Sequence, residues 1–206
     1  MVVTFLLVGN EQIPLAERMV ASVRKAMPFT KIVQQTDDVT PAIVDDVVRI
    51  PWDGMHLMTY RLQHLSAMSA EDTLILDTDV WVQQDVSNVF EDRNFDVALT
   101  RRDGSIMWRG IDIAKLMPYN TGVMFSRNPR FWQKAHAWCS KAQEEIQNWF
   151  GDQMAVKGVC DQFNVLELPC EEFNYTPASK DEDVSNRAIV HYKGAAGRKQ
   201  WMLERN

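Results

Sequence analysis

Two aspartates, Asp77 and Asp79, follow an apolar run at residues 73–76. The run predicts a short buried strand, and side chains two residues apart in extended backbone point to the same side. The carboxyl end of a strand is where open α/β sheets bind ligands, and the hard oxygens of two carboxylates suit Mn²⁺ or Mg²⁺. The ordinary alternative is a solvated acidic turn, since Asp-x-Asp also occurs by chance.

A histidine far along the chain, His191, also ends an apolar run, at residues 188–190. A neutral imidazole suits Mn²⁺ as a third ligand beside two carboxylates, although a lone histidine is more often a packed or surface residue. The segment that follows combines glycines with cations, which lets backbone amides and positive charge approach a polyphosphate. It contains Lys193, Gly194, Gly197, Arg198 and Lys199. Together these residues predict a metal bound with a diphosphate.

The elements that must position these residues alternate between strand and helix. An apolar run at residues 2–8 predicts a first strand that leads into a loop at Gly9 and Asn10, and Pro14 opens a helix. Further strands are predicted at 31–35, 47–50, 95–100, 119–125 and 188–192, helices at 55–69, 128–151 and 152–166, and a helical turn at 85–90. Residues 101–117 lack periodicity and predict a flexible loop over the site. The pattern predicts one α/β domain over residues 1–206, with a mostly parallel sheet and helices on both faces.

Composition narrows the classes of function. With 206 residues and 46% hydrophobic content, the chain can bury a full core. A net charge of −6 argues against a general nucleic-acid-binding surface. The three cysteines, Cys139, Cys160 and Cys170, lack metal-type spacing and favour a reducing, intracellular setting. The apolar N-terminus is too short to span a bilayer. We therefore expect a soluble, cytoplasmic protein without a transmembrane segment.

Several short motifs follow one another from residue 60 to the end of the chain. They are Tyr60-Arg61-Leu62, residues 74–80 with Asp77-Thr78-Asp79, residues 85–90, Tyr119-Asn120-Thr121-Gly122-Val123-Met124, Gly151-Asp152-Gln153, Leu168-Pro169 and His191-Tyr192-Lys193-Gly194. In this order they resemble the GT-A-fold glycosyltransferases, most closely the family-eight retaining group that includes glycogenin and bacterial lipopolysaccharide galactosyltransferases. The resemblance implies a GT-A, Rossmann-like fold and transfer of a sugar from a nucleotide-diphosphate sugar, with UDP as the nucleotide, to an unknown acceptor.

The resemblance also implies a role for individual residues. Asp77, Asp79 and His191 would hold Mn²⁺ (or Mg²⁺) against the diphosphate of the donor. Asp152 and Gln153 would be catalytic, with Gln153 beside the anomeric carbon on the face opposite the diphosphate. Because a glutamine is a poor nucleophile, a front-face substitution with retention is favoured. The remaining donor-binding residues would be Gly9, Asn10, Arg61, Thr78, Asn120, Thr121, Gly194 and Lys199. Trp108 and Arg109, in the irregular loop, are candidate acceptor contacts.

The sequence departs from the family pattern at two places. The closing His-x-x-Gly-x-x-Lys-Pro-Trp has its lysine, Lys199, two residues late, and Gln200 replaces the proline. Lys193, Arg198 and Lys199 therefore compete for the phosphates, and Lys199 is preferred. A second Asp-Gln pair at residues 161–162 competes with Asp152-Gln153, which is preferred for its distance to Leu168-Pro169.

Two other functions remain open at this point. A nucleotidyltransferase of similar fold would make nucleotide sugars, but that class usually has a basic, glycine-rich loop after the first strand, and residues 9–12 contain no Lys or Arg. A non-catalytic nucleotide-sugar-binding protein would keep the fold without turnover, and the altered closing pattern is compatible with it.

Overall fold

A central sheet of seven strands organises the molecule. The computed structural model describes residues 1–205 except 92, 103, 106, 109, 149, 195 and 196. The strands are β1 (Val2–Leu6), β2 (Lys31–Thr36), β3 (Asp46–Arg49), β4 (Thr73–Leu76), β5 (Val80–Val82), β6 (Val97–Arg101), β7 (Met107–Trp108), β8 (Ile111–Asp112), β9 (Tyr119–Ser126), β10 (Val165–Pro169) and β11 (Ile189–His191). The α-helices are α1 (Ile13–Ala26), α2 (Leu57–Ser66), α3 (Ile113–Leu116), α4 (Pro129–Cys139), α5 (Glu144–Gln147), α6 (Gly151–Val159), α7 (Cys170–Phe173) and α8 (Arg198–Leu203). Short 3₁₀ turns cover Ser87–Phe90 and Cys160–Gln162.

The strand order of the main sheet is β10-β6-β9-β4-β1-β2-β3. Strands β10 and β6 pair in parallel, as do β4, β1, β2 and β3 in turn, whereas β9 runs antiparallel between β4 and β6. The carboxyl ends of six strands and the beginning of β9 therefore lie along one edge. The predicted α/β class with a mostly parallel sheet is confirmed.

Helices cover both faces of the sheet, and strand β4 shows why residues 74–76 are apolar. Leu74 and Leu76 pack into the cluster that contains Val20 of α1, whereas Ile75 packs with Leu62 and Leu65 of α2. A strand buried on both faces favours apolar side chains, and each such leucine or isoleucine contributes roughly 1.5–3 kcal/mol by leaving water. The buried hydroxyl of Thr73, at the start of β4, donates to Glu71 O at 3.0 Å, and the carboxylates begin only where β4 ends.

A second, two-stranded sheet brings His191 next to the segment that contains the two aspartates. Strand β11 pairs antiparallel with β5, so that His191 lies opposite Val80, the residue after Asp79. The backbone N–H of Val82 donates to Ser22 Oγ at 3.0 Å, which fixes β5 against α1. This pairing places residue 191 beside the aspartates although more than 110 positions separate them.

Three boundaries differ from the sequence predictions. Residues 101–117, predicted as an irregular loop, contain the hairpin β7–β8 and the helix α3. The helix predicted over 128–151 ends at Cys139, because the N–H groups of Lys141 and Ala142 bond three residues back and tighten the chain into a turn. The helix predicted over 152–166 ends at Val159, because Val165–Pro169 instead pairs with β6 as an edge strand, which tolerates Pro169. Helix α8 was not predicted.

No helix among the described residues is both long and apolar enough to cross a membrane.

The imidazole of His64 is buried in α2, with its ring against the edge of Tyr60 at 4.6 Å between centroids. Neither ring nitrogen has a hydrogen-bond partner among the described residues, and burial lowers the pKa of His64 to about 4. The unfolded chain takes up this proton below pH 6.5, whereas the folded chain resists it, so stability is lost as the pH falls. Between pH 7.5 and pH 5 we expect a loss of roughly 2 kcal/mol from this residue. Urea unfolding at both values measures the loss, and His64→Leu should remove that part of the pH dependence.

Candidate active site

A cavity of about 970 Å³ opens at the carboxyl edge of the sheet. It lies where β1 and β4 end and where β9 begins, and the segment after β11 closes it from the other side. Its charged lining residues include Arg61, Asp77, Asp79, Arg102, Asp152, Lys193, Arg198 and Lys199. Ligand sites of open α/β sheets lie at this edge, and the volume is that of a small-molecule site.

Asp77, Asp79 and His191 meet in this cavity. His191 Nε2 lies 3.0 Å from Asp79 Oδ1 and 3.7 Å from Asp77 Oδ2, and one ligand atom from each residue lies within 4.8 Å of the others. The backbone leaves β4 at Leu76 and turns at residues 78–79, so the predicted extended conformation is wrong for this step. The carboxylates nevertheless converge, because Asp77 N–H donates to Gly122 O and Tyr192 N–H donates to Asp79 O. Two carboxylate oxygens and an imidazole nitrogen are a donor set that fits Mn²⁺ or Mg²⁺.

Asn174 orients the imidazole, and the sequence analysis did not identify it. Its amide nitrogen donates to Thr100 Oγ1 at 2.6 Å and to Asn120 Oδ1 at 3.0 Å. Asn120 Oδ1 itself accepts the N–H of Gly122, so the amide oxygen of Asn174 must face His191 Nδ1, at 2.8 Å. His191 Nδ1 therefore carries a proton, and Nε2, which faces the aspartates, is the nitrogen that could bind a metal. The available signal in the sequence was an asparagine between two aromatic residues, Phe173 and Tyr175. Such an asparagine is often buried, as it is here, and a buried amide needs hydrogen-bond partners.

We expect Asn174→Ala to weaken Mn²⁺ binding about 10- to 100-fold, the usual cost of losing a group that orients a ligand. Asn174→Asp, whose carboxylate still accepts from Nδ1, should weaken it less. Isothermal titration with Mn²⁺ measures both. If Asn174 acts through the imidazole, Asn174→Ala should add no further loss in a His191→Ala background. An equal loss in both backgrounds would show a general structural role.

Gly122 lets the imidazole approach the backbone of β9. A Cβ added at this position would lie 2.0 Å from His191 Cε1 and 2.5 Å from Nδ1. We expect Gly122→Ala to displace the ring and to weaken Mn²⁺ binding about 10- to 100-fold, with roughly 1–3 kcal/mol of lost stability. The matched control is Gly158→Ala, whose Cβ would meet the indole of Trp138 at 2.7 Å, far from the aspartates in sequence and outside the cavity lining. Thermal unfolding and metal titration should separate them: both variants lose stability, but only Gly122→Ala loses affinity.

Arg61 joins the candidate metal-binding aspartates to the predicted catalytic pair. Its Nη2 contacts Asp77 Oδ1 at 2.8 Å and donates to Thr121 O at 2.8 Å, while its Nη1 donates to Asp152 Oδ2 at 2.8 Å. The guanidinium is buried, with a side chain 7% exposed. One helix residue thereby fixes the position of Asp77, β9 and α6 relative to one another.

Opposing effects set the charge of the two aspartates. Burial raises the pKa of Asp79, but the imidazole of His191 and the ammonium of Lys199 outweigh burial and hold the pKa at about 2. Burial keeps the pKa of Asp77 above its ordinary value, although Arg61 and His191 act in the other direction. The neighbouring carboxylates of Asp79 and Asp152 add to the rise in the pKa of Asp77.

Two lysines near the C-terminal end of the chain line the cavity. Lys199 Nζ lies 3.6 Å from Asp79 Oδ2 and 3.4 Å from Gln12 Oε1. Arg198, by contrast, donates to the backbone oxygens of Pro177 and Lys193. Burial lowers the pKa of Lys193 to about 8, with a contribution from the charge of Arg102.

Asp152 and Gln153 both line the cavity, whereas the competing pair at residues 161–162 is exposed and lies outside its lining. Asp152 Oδ2 accepts from Arg61, and Oδ1 accepts from the N–H of Gln153 at 2.8 Å. The side-chain oxygen of Gln153 accepts from Arg102 Nη2.

The other predicted donor residues fall into two groups. Thr78, Asn120, Thr121 and Gly194 line the cavity. Gly9 and Asn10 are exposed and are not among the lining residues; the end of β1 contributes Leu7, Val8 and Gln12 instead. For the predicted acceptor contacts, Trp108 has its backbone in β7, and Arg109 lies outside the described residues.

No protein family and no curated protein matches the sequence. Solved structures do match. The glycosyltransferase GlyE of Streptococcus pneumoniae TIGR4 superposes with a TM-score of 0.69 at 17% identity, over 100% of this chain and 60% of that one. The galactosyltransferase LgtC, solved with donor and acceptor sugar analogues, gives 0.63 at 17% identity over 99% and 95% of the two chains. A glycosyltransferase involved in glycosylation of the major capsid of PBCV-1 gives 0.67 at 16% identity over 98% and 99%.

The fold is that of the GT-A glycosyltransferases. The fold implied by the motif order is thereby confirmed. This chain spans 60% of the length of the pneumococcal structure. Within the GT-A fold, the aspartates that follow β4 and the histidine that ends β11 lie at the ligand-binding edge of the sheet.

Proposed function

We propose that this protein is a metal-dependent glycosyltransferase that moves a sugar from a nucleotide-diphosphate sugar to an acceptor. The observation that carries the proposal is the convergence of Asp77, Asp79 and His191 within 4.8 Å, in a cavity of about 970 Å³ at the edge of a GT-A fold. UDP as the nucleotide and retention of configuration are what the motif resemblance implies.

In this proposal the three residues hold Mn²⁺ or Mg²⁺. A cation bound there would supply positive charge to the diphosphate as it leaves the sugar. Lys199, whose ammonium lies 3.6 Å from Asp79 Oδ2, would contact the same phosphates. Thr78 and Gly194 also line the cavity and would approach the phosphates through their backbones.

Asp152 and Gln153 would bind and position the donor sugar with Asn120 and Thr121. Both oxygens of Asp152 are used by Arg61 and by the backbone of Gln153, and its side chain is only 2% exposed, so we assign it a positioning role instead of a nucleophilic one. The amide of Gln153 is a poor nucleophile, which supports substitution on the front face of the sugar. Arg61 would hold Asp77 and Asp152 in place. Gly9 and Asn10 near the nucleoside, and Trp108 and Arg109 near the acceptor, remain predictions.

Incubation with Mn²⁺ and a panel of nucleotide sugars tests the proposal. We expect slow hydrolysis that releases the nucleoside diphosphate and depends on the metal. Formation or consumption of pyrophosphate would contradict it in favour of a nucleotidyltransferase. Thermal stabilisation by donor and Mn²⁺ without turnover on any acceptor or water would contradict it in favour of a binding protein.

A further inference from the structure

Arg102 places a partly unused guanidinium in the cavity next to Gln153. It follows β6 directly, is half-buried and lines the cavity. Its Nε donates to Met117 O at 3.0 Å, and its Nη2 donates to Gln153 Oε1. An arginine has five N–H donors, so several remain for a ligand beyond these two bonds to the described residues.

Lys193 adds a second positive charge to the cavity. Its side chain is half-buried and lines the same cavity as Arg102. Among the described residues, neither side chain forms an ion pair with a carboxylate within 4 Å. Two neighbouring cations that are partly removed from water raise the free energy of the empty site.

Two other cations of the cavity lie beside acids. Arg61 lies 2.8 Å from both Asp77 and Asp152, and Lys199 lies 3.6 Å from Asp79. Arg198 has no described carboxylate partner either, but it donates to the backbone oxygens of Pro177 and Lys193. A guanidinium with a free edge suits a carboxylate or a phosphate, which it can bind through two parallel hydrogen bonds.

We propose that Arg102, with Lys193 beside it, binds a carboxylate or phosphate group on the sugar side of a substrate. The inference rests on the proposed function: if the diphosphate lies by Asp79 and Lys199, then the contact of Arg102 with Gln153 puts this second anionic position on the side of the transferred sugar. The anion would belong either to an acidic sugar of the donor or to an acidic group of the acceptor.

Matched pairs of compounds test the proposal and separate these two sources. The donor pairs are UDP-glucuronate against UDP-glucose and UDP-galacturonate against UDP-galactose, each with Mn²⁺ and compared by Kd and by rate of hydrolysis. The acceptor pairs are methyl glucuronide against methyl glucoside and glycerol 3-phosphate against glycerol, compared as acceptors or inhibitors. We expect the acidic member of a donor pair or an acceptor pair to be preferred about 10- to 100-fold, as for hydrogen bonds to a charged group.

Arg102→Gln should reduce that preference by a similar factor, and Arg102→Lys should retain part of it. The control is Arg101→Gln, one residue earlier, where the side chain is exposed and pairs with Glu167 at 2.9 Å; it should leave the preference unchanged. Equal use of acidic and neutral members by the unaltered protein would overturn the inference. So would an Arg102→Gln variant that loses both members equally, because Arg102 would then act only by holding Gln153.

Binding of UDP alone with Mn²⁺ shows whether this inference fails by itself or together with the proposed function. If UDP binds and no acidic member is preferred, this inference fails while the proposed function stands. If no nucleoside diphosphate binds with the metal, the proposed function fails and the inference falls with it.

Discussion

Asp79→Ala should abolish metal-dependent donor binding and lower turnover at least about 1,000-fold. Metal ions stabilise developing charge by several kcal/mol, and each 1.36 kcal/mol corresponds to a factor of ten in rate. Asp79 is the aspartate whose oxygens contact both His191, at 3.0 Å, and Lys199, at 3.6 Å. Its loss therefore removes one ligand and also releases the two groups that complete the site.

The fold should survive this change. Asp79 lies at the cavity surface, and the backbone bond from Tyr192 N–H to Asp79 O does not depend on the side chain. We expect a loss of roughly 1–3 kcal/mol, from the partners that are left unpaired. Circular dichroism and thermal unfolding check the fold, and donor hydrolysis checks turnover. Asp161→Ala, in the competing Asp-Gln pair outside the cavity lining, is the control and should be neutral. Retained Mn²⁺-dependent activity in Asp79→Ala would refute the assignment.

Arg61→Met should be the most destabilising single change in the site, at about 3–5 kcal/mol. The substitution leaves Asp77 and Asp152 without the cation that both contact at 2.8 Å, in a region where the arginine and Asp152 side chains are 7% and 2% exposed. The carboxylate of Asp152, 2% exposed, keeps the full cost of leaving water when it loses this partner, whereas that of Asp77 is 35% exposed and keeps less of it. Against a total stability of about 5–15 kcal/mol, a loss of this size is large.

An exposed ion pair of the same length provides the comparison. Arg101 lies 2.9 Å from Glu167, but the two side chains are 58% and 45% exposed. Arg101→Met should therefore cost no more than about 1 kcal/mol. Urea unfolding without added metal measures both variants. In the double variant Arg61→Met/Asp152→Asn, removal of the orphaned charge should recover part of the loss. Equal costs for Arg61→Met and Arg101→Met would contradict the role of Arg61 as a buried link.

The sequence predicted the convergence of Asp77, Asp79 and His191 because Asp77 follows the buried strand β4 and His191 is the last residue of the buried strand β11. Apolar runs of this kind are buried on both faces, and charged residues begin where they end. Since parallel strands end at one edge, the residues after β1 and β4 had to lie near each other. His191 joined them for a different reason, the antiparallel pairing of β11 with β5, which the sequence alone did not specify.

The supporting residues were harder to predict. Arg61 has the pattern of an exposed helix residue, and its burial follows from tertiary packing alone. Asn174 and Arg102 belong to segments without periodicity, where the chain direction depends on contacts distant in sequence. The helix predicted to reach residue 151 fits an apolar spacing that continues past Cys139, but the backbone turns there because of local hydrogen bonds. Residues 165–169 form a strand because they pair with the edge of β6. The local sequence does not indicate this pairing.

A crystal structure with Mn²⁺ and UDP, with anomalous scattering measured at the manganese edge, tests the central claim most directly. We predict one anomalous peak at a bonding distance of about 2 Å from an oxygen of Asp77, an oxygen of Asp79 and Nε2 of His191, with the diphosphate on its open side. A peak elsewhere, or UDP bound in the cavity with no metal between these three residues, would contradict it.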